Sequence, residues 1–223
     1  MDFYERLLQA THAERSRLYS IPLIEDALVG RIARTTYIAF LTEAYHHVKH
    51  TVPLLMACGS RLPARLAWLR DAVIEYIEEE RGHEEWVLDD IRACSADAEA
   101  VRHARPAVAT ELMVAYAYHT IERLNPVGFF GMVLVLEGTS TALATRTATT
   151  IQQALRLPET AFTYLSSHGQ LDLHHVEFYR GLMNRLDATD DQAAVVHASR
   201  VFYRLYADVF RQLPHAALRE EVA

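Results

Sequence analysis

Three potential metal ligands recur at helical spacing in the last third of the chain. His168, Asp172 and His175 are separated by four and then three residues. At roughly 100° per residue they fall within an arc of about 60° on one helix face, so that a single cation could be bound by at least two of them. The alternative is that the two histidines cap or line a polar helix surface, and this motif alone leaves both interpretations open.

A lone carboxylate stands in the most apolar part of the sequence. Glu137 directly follows the apolar run Phe129–Leu136. A helix this apolar is expected to be buried on most sides, and a buried carboxylate without a partner costs several kcal/mol or becomes protonated. Glu137 therefore needs a cation, which is either a metal ion or the guanidinium of Arg123 or Arg146, unless one narrow polar stripe of the helix is exposed.

An acidic run at residues 75–85 contains a histidine that can share a helix face with a glutamate. Glu80 lies three residues and Glu79 four residues before His83. The spacing Glu-x-x-His is the one with which dimetal carboxylate proteins direct a carboxylate and an imidazole inward together. Most glutamates of this run are expected to form a solvated helix face, and the same spacing also arises by chance in acidic helices.

Together the three segments offer a mixed set of nitrogen and oxygen ligands. The first supplies a carboxylate and an imidazole, the second a lone carboxylate, and the third two imidazoles and a carboxylate. This mixture suits a pair of first-row metals such as iron or manganese better than a structural zinc site, which favours cysteine. The predicted ligands are Glu80, His83, Glu137, His168, Asp172 and His175, with Glu79 as the alternative to Glu80.

A second group of polar side chains lies on the predicted third helix. Glu43, His47 and His50 are spaced so that they could share one face. They could form a separate metal site, add a carboxylate to the first site, or line a substrate pocket and the surface without binding metal. If the dimetal interpretation holds, we expect His47 or His50 to lie near the substrate.

The elements that must position these residues are predicted to be helices. Gly and Pro are scarce, with 8 and 7 residues, and no stretch alternates apolar and polar residues as a half-buried strand does. We predict an all-α, single-domain bundle of seven to eight helices over residues 1–223. Prolines and cap residues place the helices at about residues 2–19, 22–29, 36–58 with a bend at Pro53, 64–94, 107–123, 127–155, 159–185 and 189–212.

Composition narrows the class of protein. Apolar residues make up 51% of the chain and charged residues 23%, which is the balance of a globular protein with a sizeable core. The net charge is -7 and the basic residues are scattered, so a nucleic-acid partner is not expected. The two cysteines form no CxxC pair, and the N-terminus shows no basic segment followed by an apolar run. We expect a cytoplasmic protein with no membrane partner.

These motifs resemble those of the heme-oxygenase-like dimetal oxidases and oxygenases, also known as iron-containing redox enzymes and related to the TenA-like fold group. In that family the ligands are a Glu and a His on one helix, a lone Glu on a second and His-x-x-x-Asp-x-x-His on a third. His83, Glu137 and the motif that starts at His168 match in type and order, and the gaps from 83 to 137 and from 137 to 168 are similar to the family's spacing. Some members place the first glutamate seven residues before the histidine, where this chain has Tyr76, and others place it three before, at Glu80.

The resemblance implies a heme-oxygenase-like fold and a nonheme di-iron oxidase or oxygenase. It implies two Fe(II) ions, with manganese as an alternative metal, and O2 as co-substrate. The substrate would be a small amino-acid-like or carboxylic-acid metabolite that is desaturated, cleaved at a C–C bond or N-oxygenated in natural-product biosynthesis. An external electron donor and a homodimer are further options under this interpretation.

Two rival functions remain. One is a thiaminase-like or cofactorless oxidase on the same fold, and the other is a helical interaction protein without metal. The thiaminase relatives use a cysteine nucleophile, and neither Cys58 nor Cys94 stands in a setting similar to theirs.

Overall fold

The computed structural model describes residues 1–215, except for the side chains of residues 168–174. Within these residues every regular element is a helix, which confirms the predicted all-α class. The α-helices are α1 (Phe3–Ala10), α2 (His12–Tyr19), α3 (Pro22–Ala27), α4 (Arg34–Val48), α5 (Thr51–Arg61), α6 (Ala67–Glu80), α7 (His83–Ala93), α8 (Ala98–His103), α9 (Val108–Arg123), α10 (Phe130–Leu155), α11 (Thr163–Arg185) and α12 (Thr189–Arg211). Short 3₁₀ segments at Ala64–Leu66, Pro126–Phe129 and Glu159–Ala161 precede α6, α10 and α11.

Two of the predicted long helices are divided in the first quarter of the chain. The helix predicted over residues 2–19 breaks at Thr11, whose hydroxyl donates to the Leu7 carbonyl at 2.8 Å. The next long helix breaks after α4 at Lys49 and does not bend at Pro53. Pro53 is the third residue of α5, where a backbone N–H would have no partner within the helix, so proline is tolerated there.

The segment with the acidic run is divided as well. A single helix was predicted over residues 64–94, but α6 ends at Glu80 and α7 begins at His83. Gly82 connects them with φ of 95°, a left-handed conformation that glycine adopts without steric cost. The expectation that Glu80 and His83 share the face of one continuous helix is therefore wrong, because they flank a break between two helices.

Helix α10 is the central element of the core and packs against α11 and α12. Gly131 allows the close approach of α12, since a Cβ atom at this position would lie 2.6 Å from the Ser199 backbone nitrogen. Among the described residues, the segment Pro126–Leu155 has the length and apolar composition of a membrane-spanning helix, and 56% of its most apolar part is buried inside the protein. An apolar helix that packs into a protein core shares this composition.

A buried carboxylate fixes where α11 begins. Asp90 on α7 accepts hydrogen bonds from the backbone N–H groups of Thr163 and Tyr164, both at 2.9 Å. These are orphan donors of the first turn of α11, which has no capping side chain of its own. Burial outweighs these bonds and raises the pKa of Asp90 to about 6. Asp90 thus joins α7, which starts at His83, to α11, which carries His175.

Candidate metal centre

Four helices direct five chemically active side chains to one place, here called the metal cluster: Glu79, Glu80, His83, Glu137 and His175. The two consecutive glutamates end α6, and His83 is the first residue of α7. Glu137 lies eight residues into α10 and His175 in the middle of α11.

The distances within the metal cluster are those of groups that can share a cation. Ligand atoms of Glu80, Glu137 and His175 all lie within 4.8 Å of one another. His175 Nε2 is 2.8 Å from Glu79 Oε2, and His175 Nδ1 is 3.5 Å from Glu137 Oε1. His83 Nδ1 lies 3.1 Å from Glu80 Oε2. Both glutamates at the end of α6 therefore reach the cluster, and the choice of Glu80 as ligand, with Glu79 as the alternative, stays a prediction.

The electrostatic setting calls for positive charge. The side chains of His83 and His175 are 4% and 2% exposed, and those of Glu80 and Glu137 are 11% and 13% exposed. The carboxylates of Glu80 and Glu137, which share a mostly buried site, repel each other and lose hydration, and both costs fall when a cation is bound. Carboxylate oxygen and imidazole nitrogen together form a donor set that suits iron or manganese.

Two of the predicted ligands lie outside this description. Positions 168 and 172 belong to α11, but the side chains of His168 and Asp172 are not among the described ones. Glu137 lies next to His175 and not in an ion pair with Arg123 or Arg146, the cations that the sequence left open. The ligand roles of all the predicted residues stay predictions.

An apolar cavity adjoins the metal cluster. Its volume is about 170 Å³, and its walls come mainly from α3, α4, α5 and α10. Glu80 and Glu137 lie in its wall, so the cluster faces the cavity. None of the described residues that line it is a lysine or arginine. A cavity of roughly 150 Å³ can hold benzene, so this one is large enough for a small organic molecule.

The second group of polar residues, here called the α4 group, consists of Glu43, His46, His47 and His50. Glu43 is buried and accepts the Ala107 backbone N–H at 3.2 Å and the Thr110 hydroxyl. These donors belong to the N-terminus of α9, which has no capping side chain of its own. Glu43 does not line the cavity, and its contacts are those of a helix cap.

The histidines of the α4 group lie in three different settings. His46 Nδ1 is 3.2 Å from Lys49 Nζ, and burial together with this ammonium lowers the pKa of His46 to about 4. His50 Nδ1 is 3.4 Å from the Tyr118 hydroxyl and the residue does not line the cavity. His47 lines the cavity, with its ring edge-on to Tyr206. Of the two histidines expected near the substrate, His47 has the suitable position.

Both cysteines are buried away from the cavity. The Cys58 thiol donates to the Pro126 carbonyl at 3.4 Å, and burial raises its pKa to about 12. Burial also raises the pKa of Cys94 to about 11. Since a thiolate is the reactive form, neither thiol is prepared to act as a nucleophile.

Two residues near the metal cluster were not predicted to be important from the sequence: Asp90, which links α7 to α11, and Tyr76, which contacts His175. Asp90 follows His83 by seven residues on α7, amid the buried apolar residues Val87, Leu88 and Ile91, and this apolar setting was the available signal. Tyr76 lies one helical turn before the glutamates of α6, which places it on their face. Its ring lies edge-on to that of His175, with 5.8 Å between centroids.

The fold and the cluster together define a class: an all-α protein of the heme-oxygenase type with carboxylate and imidazole groups at the edge of an apolar cavity. The chain is similar to a domain of unknown function with a heme-oxygenase-like fold from Shewanella denitrificans OS217, with 24% identity and a TM-score of 0.83 over 96% of this chain and 92% of that one. It is also similar to a TenA homologue from Pseudomonas syringae pv. tomato DC3000, with 14% identity and a TM-score of 0.77 over 95% and 93% of the chains. Heme oxygenase from Leptospira interrogans gives 17% identity and a TM-score of 0.76 over 96% and 100%.

The family model for "Iron-containing redox enzyme" matches residues 38–207. The chain belongs to this family, and the matched range includes all the residues of the metal cluster. A search of curated protein sequences gave no match. The structural similarities, all below 25% identity, establish the fold and leave the reaction to be argued from the site.

Proposed function

We propose that the protein is an O2-dependent nonheme di-iron oxidase or oxygenase that acts on a small carboxylic-acid or amino-acid-like metabolite in a biosynthetic pathway. The observation that carries this proposal is the convergence of Glu79, Glu80, His83, Glu137 and His175 from four helices at the wall of an apolar cavity. Membership in a family of iron-containing redox enzymes supports iron as the metal.

The residues present fit two iron ions in number and type. Glu79, Glu80 and Glu137 would supply carboxylate oxygens and balance the metal charge, and His83 and His175 would supply imidazole nitrogens. His168 and Asp172 complete the proposed ligand set. When bound, iron would supply the oxidising power of the reaction with O2.

The chain itself would fix the orientation of the ligands and keep water out. The His83 ring stacks on Trp86 with 3.9 Å between centroids, and the carboxylate of Glu80 lies against its Nδ1. His175 is held between Glu79 and Glu137. Such neighbouring contacts fix the ring orientation of metal-binding histidines. The apolar walls formed by α4 and α10 limit the access of water to the site.

The cavity lining favours one part of the proposed substrate class. A zwitterionic amino acid would place two charges in a space where the described lining has no lysine or arginine. A carboxylic acid with an apolar body has one charge to satisfy, and the metal ions, with His47 on the cavity wall, would be its partners. We therefore favour an apolar carboxylic acid of small size.

The accompanying expectations belong to the same proposal. An external electron donor would reduce the metal centre between turnovers. A cytoplasmic location would keep Cys58 and Cys94 reduced. The chain would act as a monomer or a homodimer and would bind neither nucleic acid nor a membrane. Manganese is the alternative metal. No observation favours a thiaminase-like reaction, since both thiols are buried away from the cavity.

Metal loading under anaerobic conditions tests the proposal. Protein incubated with Fe(II) and passed through a desalting column should retain about two iron ions per chain, and its absorbance should change when O2 is admitted. Protein that retains less than about one iron per chain and shows no absorbance change with O2 would refute the proposed function.

A further inference from the structure

The Tyr76 side chain lies against His175 of the metal cluster. It lies on α6, three residues before Glu79 and four before Glu80, so the three side chains share one helix face. Its ring packs edge-on against that of His175, with 5.8 Å between centroids. It also lines the cavity together with Glu80 and Glu137.

The hydroxyl group of Tyr76 is buried and lacks a hydrogen-bond partner among the described groups. The residue is 2% exposed, and its hydroxyl oxygen presents less than 1 Å² to water. A buried hydroxyl without a partner costs about 1–3 kcal/mol. A bound metal ion would give this oxygen a partner at a metal–oxygen distance of about 2.0–2.2 Å.

The charges around the hydroxyl also suit a cation. Tyr76 lines the same cavity as Glu80 and Glu137, and ligand atoms of these two glutamates and of His175 all lie within 4.8 Å of one another. A bound metal ion reverses the local balance of charge, because it stabilises an anionic oxygen beside it.

We infer that Tyr76 is a further ligand of the iron centre and binds iron(III) through its phenolate oxygen. When it binds, the O–H bond breaks, the proton leaves to solvent and an Fe–O bond forms without a change in oxidation state. Phenolate oxygen is an established protein ligand of ferric iron. This inference rests on the proposed iron centre and adds a ligand of a chemical type that the carboxylates and imidazoles do not provide.

Visible spectroscopy of the iron(III)-loaded protein tests the assignment without reference to activity. An iron–phenolate bond produces a charge-transfer absorption band in the visible range and enhanced phenolate ring modes in resonance Raman spectra. We expect both in the wild-type protein. The variant Tyr76→Phe should lose both signals while retaining iron, because the carboxylates and imidazoles remain.

Tyr116→Phe is the matched control. The Tyr116 hydroxyl is buried as well, but it lies beside the Thr120 side chain, its ring packs against Phe202 on α12, and the residue does not line the cavity. The control should therefore keep the charge-transfer band. If Tyr76→Phe does not fold, wild-type protein grown with ring-deuterated tyrosine provides the test, since the Raman modes of a bound phenolate must shift.

The outcomes separate this inference from the proposed function. Iron retention without a charge-transfer band in the wild-type protein would overturn the role of Tyr76 and leave the iron centre standing. A band that persists in Tyr76→Phe would overturn the assignment to this residue. A protein that binds no iron would overturn both.

Discussion

The metal cluster and the α4 group contain similar residue types, yet the fold uses them in opposite ways. In the metal cluster, carboxylates and imidazoles from α6, α7, α10 and α11 point at one another within hydrogen-bonding or metal-binding distance. In the α4 group, the side chains of α4 and of His50, which follows the end of α4, have separate partners, and the Glu43 carboxylate is occupied by donors at the start of α9. The comparison teaches that ligand spacing along one helix is weaker evidence for a metal site than convergence from several helices.

Glu43 and Glu137 also differ in the groups that contact their carboxylates. Glu43 accepts an N–H and a hydroxyl, which are neutral donors that remain in place with or without metal. Glu137 Oε1 lies 3.5 Å from His175 Nδ1 and shares its site with Glu80, an arrangement that a metal ion would stabilise. Substitution of each glutamate should therefore affect different properties of the protein.

The largest expected effect is that of Glu137→Ala. Removal of this carboxylate takes a ligand from the middle of the metal cluster, so the variant should lose most of its iron from at least one site and with it most O2 reactivity. Helix content should be unchanged, because alanine is tolerated in α10. Metal analysis and circular dichroism measure both properties, and full iron occupancy in the variant would contradict the ligand assignment.

Glu43→Ala should show the reverse pattern. The Ala107 N–H and the Thr110 hydroxyl would lose their acceptor, which should lower the free energy of unfolding by roughly 2 kcal/mol. Iron content per chain should stay at the wild-type level. Denaturant unfolding and metal analysis check the pair of effects, and a loss of iron in this variant would mean that the α4 group belongs to the metal site.

Gly82→Ala tests the break between Glu80 and His83. The φ angle of 95° is unfavourable for alanine, and the added Cβ would meet no atom within 4 Å, so the cost is conformational and about 1–2 kcal/mol. Gly181→Ala is the control, since Gly181 lies inside α11 with open space where a Cβ would stand. The free energy of unfolding of this variant should equal or exceed that of the wild type. Equal stability of the two variants would show that the left-handed turn at Gly82 is not required.

The smallest expected effect concerns His46 and pH. Because burial and Lys49 lower the pKa of His46 from 6.5 to about 4, the unfolded chain binds more protons than the folded protein between these values. The free energy of unfolding therefore contains the full contribution of neutral His46 above pH 6.5, and this contribution is lost as the pH falls towards 4. After allowance for solvent screening, the loss is about 1 kcal/mol. Relative to His46→Gln, the melting temperature of the wild type should fall over this range, and parallel pH profiles would contradict the assignment.

The sequence predicted the helical class better than it predicted the helix ends. Scarce glycine and proline and the helical spacing of polar residues indicated an all-helical chain, and every regular element among residues 1–215 is a helix. The break at Gly82 was missed because a single glycine inside an acidic helical pattern is often tolerated. The break after Lys49 was missed because the nearby Pro53 was the more obvious signal.

The hydrogen bonds by which a carboxylate on one helix caps another helix could not be predicted from the sequence, for a different reason. Asp90 caps α11 from α7, and Glu43 caps α9 from α4, over separations of more than 60 residues. Helix periodicity places these carboxylates on a face but does not say which helix terminus lies opposite. By contrast, residue type as well as spacing suggested that one metal centre is shared by Glu80, Glu137 and His175.

Crystallographic location of iron tests the central claim most directly. Crystals of protein loaded with Fe(II) should show anomalous scattering at the iron absorption edge, with two iron positions bounded by the carboxylates of Glu80 and Glu137 and the imidazoles of His83 and His175. Iron located among Glu43, His46 and His50, or no ordered iron in crystals of protein that had been loaded, would contradict the account.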